Sequence, residues 1–107
     1  MRGVGPRIRH SAIWYVLAGT RGGASRARIV RLLMTEPRNA NQLAEALGMD
    51  YSTIQHHLDV LERNGIAFPS GARYGRTFQL TPRMRDALPS LASIWEKLDE
   101  NKDGSGG

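Results

Sequence analysis

The chain has 107 residues, 40% of them hydrophobic, a net charge of +5 and no cysteine. This length suits one domain with a modest core, and the apolar share excludes wholesale disorder. Without thiols there are no disulfides, thiolate metal ligands or cysteine nucleophiles, and the longest apolar run, Ala12 to Ala18, falls far short of the ~18 residues of a spanning helix.

The positive charge is unevenly placed. Arg2, Arg7, Arg9, Arg21, Arg26, Arg28 and Arg31 all precede Glu36, the first acidic residue, and only Lys97 and Lys102 of the 15 basic residues are lysines. Such a balance fits a polyanion partner, and the guanidinium fork suits phosphate or guanine. No secretory signal is legible, so a cytoplasmic protein is expected.

Residues 1–10 are rich in Gly, Pro and Arg and read as a flexible basic terminus. Ser11 to Ala18, SAIWYVLA, places a capping Ser before an apolar run. Ile13, Trp14, Val16 and Leu17 cannot all face one side of a lone helix, so a cover is expected from the C-terminal helix or a second subunit. After the GTRGG break, Ser25 is expected to cap a core helix reaching about Glu36. Its apolar residues are Ala27, Ile29, Val30, Leu32, Leu33 and Met34, with Arg26, Arg28 and Arg31 mostly outside, and Pro37 ends it.

The central stretch runs from Asn39 to Gly65. Asn39 caps a helix whose apolar stripe is Leu43, Ala44 and Leu47, and Gly48 supplies the positive φ of a sharp turn. Asp50 is expected to cap the next helix, where Ile54, Leu58 and Leu61 point inward and Ser52, Gln55, His56, Asp59 and Arg63 point outward. A polar outer face suits a major-groove reader, since Gln pairs bidentately with adenine and Ser or His reaches other base edges. Alone, such a face is more simply a solvated one; the sharp turn before it and the basic hairpin after it tip the balance.

Gly65 closes that helix, Ile66 to Phe68 reads as a strand, and Pro69, Ser70, Gly71 and Gly75 mark a loop. Arg76 to Leu80 then alternates, with Phe78 and Leu80 on one side. This is a wing carrying Arg73, Tyr74 and Arg76, suited to phosphates or the minor groove; the competing reading is an edge hairpin protected by charge. Thr81 and Pro82 start a final helix in which Met84, Leu88, Leu91, Trp95 and Leu98 form a heptad seam, kinked or restarted at Pro89. Such a seam suits pairing with another chain together with packing on Ile13 to Leu17. Residues 101–107 read as a disordered tail.

The order helix, helix, turn, recognition helix, strand, wing, strand, helix is that of a winged helix-turn-helix. The segment Ala24 to Thr81 resembles the archaeal and bacterial ArsR-type regulators, through NQLAEALGMDYSTIQHHLDVLERNGIA followed by GRTFQLT. The opening WYVLAGTRGG is similar to an archaeal subgroup. The resemblance implies a homodimer on operator DNA, with Ser52, Gln55 and His56 in the major groove and Arg73 and Arg76 on the wing. Two departures stand out: Asp59 lies where relatives often carry a basic residue, and the metal-sensing members use cysteine, which is absent, or His with carboxylates, of which the C-terminal helix offers Glu96, Asp99 and Glu100 but no His.

The reading is therefore a mainly α protein with a small β-hairpin, one domain over 11–100, flanked by terminal dimerisation helices. Expected DNA contacts are Asn41, Tyr51, Ser52, Thr53, Gln55, His56, Arg63, Arg73, Tyr74 and Arg76. Expected dimer contacts are Ile13, Trp14, Leu17, Leu88, Leu91, Trp95 and Leu98. No catalytic site, metal or cofactor is expected: His56 and His57 point about 100° apart and lack a zincin-like acidic partner. The competing functions are a winged-helix module for protein contact and a membrane-surface regulator held by the Trp14 region.

Overall fold

The computed structural model describes the backbone of residues 10–72 and 75–106 and the side chains of 12–72 and 75–99. The basic terminus over 1–10 lies, except for the backbone of His10, outside these residues. Helix α1 (His10–Trp14) runs into a π-helical turn, Tyr15–Gly19. A π turn widens the helix and changes which side chains share a face. Here Ile13, Val16 and Leu17 are all buried, while Tyr15 is left 64% exposed. Much of the cover comes from α2 (Gly23–Leu33), which the pattern did not point to.

Helix α2 differs from expectation at both ends. Gly22, with φ 117°, is its N-cap, so Ser25 falls inside the first turn instead of capping it. Position 23 has room only for glycine, because a Cβ there would meet the backbone of Leu17 at 2.9 Å. The helix stops at Leu33, and Met34 to Glu36 form a turn before Pro37.

Helix α3 (Ala40–Leu47) opens on a capping box: Gln42 N donates to Asn39 Oδ1 at 2.7 Å and Asn39 N to Gln42 Oε1 at 2.8 Å. Gly48 closes it at φ 65°, as the turn requires. Helix α4 (Tyr51–Arg63) follows, with Ile54, Leu58 and Leu61 buried. Asp50 holds the N-cap position but makes no side-chain cap bond; only its carbonyl takes part, accepting from Ile54 N at 3.0 Å.

Strands β1 (Ala67–Ser70) and β2 (Thr77–Leu80) pair antiparallel with Ala67 opposite Leu80 and Ser70 opposite Thr77. Pro69 and Ser70 thus belong to the strand rather than the loop, which Pro tolerates on an edge. Phe78 and Leu80 are buried on one side as the alternation predicts. A bridge the pattern did not reveal ties the wing to the core: Phe78 N donates to Arg38 O at 2.8 Å and Arg38 N to Phe78 O at 3.2 Å.

Thr81 caps α5 (Pro82–Ala87), accepting from Met84 N at 3.1 Å. Pro89 lies in a 3-10 turn, Leu88–Leu91, after which α6 (Ala92–Gly106) begins. The chain restarts there, sparing a continuous helix the loss of a hydrogen bond. The backbone of α6 runs on through 101–106, into the stretch assigned to a tail. Met84, Leu91 and Leu98 are buried in the chain's own core, and so is Ile94, outside the heptad; Leu88 and Trp95 are half-buried. The seam is thus largely consumed within the chain.

Candidate nucleic-acid interface

The outer face of α4 is set by the side its aliphatics occupy. With Ile54, His57, Leu58 and Leu61 buried, Ser52, His56, Asp59 and Arg63 are exposed and Thr53 and Gln55 half-buried. The sharp turn at Gly48 brings the start of α4 beside the start of α3, and the wing folds back toward both. Between them lies an open groove of about 320 Å³ lined by Asn39, Ala40, Asn41, Tyr51, Gln55, Gly75, Arg76 and Phe78.

Four of the residues expected from the sequence therefore meet in one place: Asn41, Tyr51, Gln55 and Arg76. Ser52, Thr53 and His56 lie on the same helix but do not line the groove. Arg63 is eight residues past Gln55, about 12 Å farther along the axis. Arg73 and Tyr74 lie outside the described residues. Within the groove, Gln55 Nε2 donates to the Tyr51 hydroxyl at 2.7 Å, an i to i+4 bond that fixes the amide.

Behind this face stands a polar cluster, and it overturns one expectation. Arg26 does not lie outside: it is only 7% exposed. Its Nε donates to Val16 O at 2.9 Å, its Nη2 to Thr20 Oγ1 at 2.6 Å, and its Nη1 lies 3.2 Å from Nδ1 of His57, itself 6% exposed. A guanidinium has no acceptor, so Nδ1 must be the acceptor and the ring proton sits on Nε2. Burial, then the charge of Arg26 and then that of His56, push His57 below the usual imidazole range; burial also lowers Arg26. The spacing held a signal for this, since Arg26 precedes Ile29, Val30 and Leu33 by three, four and seven residues and so shares their inward stripe.

Two other arginines are structural. Arg31 forms a forked pair with Asp99, at 2.8 and 3.1 Å, that joins α2 to α6 and raises the Arg31 pKa through that hydrogen bond. Arg38 donates to Leu32 O at 3.3 Å and to Thr35 Oγ1 at 3.2 Å, and sits 3.4 Å from Glu36, beside the bridge that roots the wing. Among the described residues, no helix is long and apolar enough to cross a membrane, and no group of three or more His, Asp or Glu could hold a metal.

This order of elements, with a polar outer helix face beside a rooted hairpin, invites comparison with known proteins. Residues 24–67 match the bacterial regulatory protein, arsR family. The match takes in α2, the helix-turn-helix and the start of β1, less than half of the chain. No curated protein matches the sequence. Among solved structures, the chain is similar to M. tuberculosis Rv0081, at 19% identity over 87% of this chain and 91% of that one, with a TM-score of 0.67. It is similar to a single-substitution mutant of Lactococcus lactis ZitR, at 20% over 78% and 59% with a TM-score of 0.60. The transcriptional regulator BldR from Sulfolobus solfataricus matches at 19% over 85% and 66%, with a TM-score of 0.65. The chain spans about three-fifths of the length of ZitR. At these identities the likeness establishes the fold, and that fold is a winged helix-turn-helix.

Proposed function

We propose that this chain is a transcription regulator of the cytoplasm that binds double-stranded DNA sequence-specifically as a homodimer, and that it is not an enzyme. The observation that carries the reading is the groove in which Tyr51 and Gln55 of α4 meet Asn41 of α3 and Arg76 of the wing. A helix presenting Ser52, Gln55 and His56 suits the major groove, and Arg76 beside it suits the flanking phosphates or minor groove. The ArsR-type match and the regulator BldR among its structural neighbours support the same function. Ile13, Leu17, Leu91 and Leu98 are spent on the core, so the dimer contact is assigned to the half-buried Trp14, Leu88 and Trp95.

The test is binding over a salt series on genomic fragments. A dimer contacting six to ten phosphates should lose roughly 10³- to 10⁵-fold in affinity between 50 and 200 mM salt through counterion release. Absence of any complex at low salt would leave a protein-contact module as the better reading.

A further inference from the structure

We propose that Tyr51 is a positioning residue that makes Gln55 a reader of adenine rather than guanine; the proposal rests on the DNA-binding reading above. An unrestrained glutamine amide has one acceptor oxygen and two N–H donors and turns freely to present either. It then meets adenine with one donor to N7 and its oxygen to the N6 amine, or guanine by turning its donors to N7 and O6.

In this structure the choice is narrowed before DNA arrives. Gln55 Nε2 already gives one proton to the Tyr51 hydroxyl at 2.7 Å. One N–H and the oxygen remain, the pair that adenine matches, while guanine would set its O6 against the amide oxygen. Tyr51 is one turn earlier on the same helix and lines the same groove, so the bond is made inside one rigid element. Having accepted, the phenol keeps its own proton to give to a phosphate, which would hold the pair in register along the strand.

The experiment starts from a site selected on random duplex DNA by the full chain. Affinities are then measured for that site with A·T or G·C at each position, using wild type, Tyr51→Phe, Gln55→Ala and the double variant. One position should favour A over G in wild type, and Tyr51→Phe should lower that ratio roughly 3- to 10-fold, the size of one lost hydrogen bond. Gln55→Ala should abolish it, and adding Tyr51→Phe to Gln55→Ala should change the ratio no further. Because the readout is a ratio within each variant, a variant that merely folds less well moves both affinities together. An unchanged ratio in Tyr51→Phe overturns the proposal and leaves the DNA reading standing, and so does a Gln55-dependent preference for guanine, which would place the amide oxygen on the phenol. No selected site and no binding by wild type at low salt overturns the DNA reading itself.

Discussion

A buried arginine answered by a carbonyl, a hydroxyl and an imidazole is the most consequential side chain in this molecule. His57 can serve Arg26 only while its Nδ1 is unprotonated, and both its burial and the cation beside it hold it in that form. Protonation would remove the acceptor and set two cations 3.2 Å apart. Because the folded pKa lies below the unfolded value of about 6.5, the unfolded chain binds the proton first. The stability His57 contributes is therefore complete above about pH 6.5 and is lost as pH falls from there through the folded value. His57→Gln keeps an acceptor for Arg26 and removes the titration. Urea unfolding at about pH 7.5 and about pH 5.5, on either side of the unfolded value, should show wild type losing more stability than His57→Gln, and equal losses would refute the coupling.

At the scale of elements, the proposed function divides the work of recognition between α4 and the wing. Gln55 faces outward on a helix braced by Ile54, Leu58 and Leu61, and Arg76 sits on a hairpin rooted at Arg38 and Phe78. Gln55→Ala should relax base preference at one position, costing about 1–3 kcal/mol there. Arg76→Ala should weaken all sequences alike and make the salt slope shallower by about 1. Titrations of both variants against matched and mismatched duplexes separate the two behaviours.

These elements were the most legible part of the sequence, because the Leu43 to Leu47 stripe, Gly48 and the Ile54, Leu58, Leu61 repeat are local signals. The Thr81 cap and the restart at Pro89 were legible for the same reason. What escaped depends on distant partners: the bridge from Arg38 to Phe78 spans the whole helix-turn-helix, and the need for glycine at position 23 comes from the backbone of Leu17. Asp50 misled because a good capping residue stood in the right place without using its carboxylate. Arg26 was misplaced by its charge, although its spacing pointed inward.

At the scale of the whole molecule, the proposed homodimer has to be built from what the core leaves over. The repeat Met84, Leu88, Leu91, Trp95, Leu98 suits a coiled seam, yet Met84, Leu91 and Leu98 face the chain's own core together with Ile94. Leu88, Trp95 and Trp14 are left at its edge, packed against that core but not enclosed by it. A dimer built there adds an aromatic rim to an existing core instead of creating a separate zipper. Trp95→Glu should accordingly yield a folded monomer by light scattering, with operator affinity falling steeply as the second half-site is lost. A variant that stays dimeric would move the contact elsewhere.

The three anchors of the Arg26 guanidinium lie on both sides of the boundary where the match to the arsR family begins, Val16 and Thr20 before residue 24 and His57 well inside it. A minimal fragment trimmed to that boundary would leave the guanidinium with one of its three partners and open the apolar face of α2 to water. The leading helix is in this sense a keystone for α4: whatever shifts it pulls, through one side chain, on that helix's hidden flank.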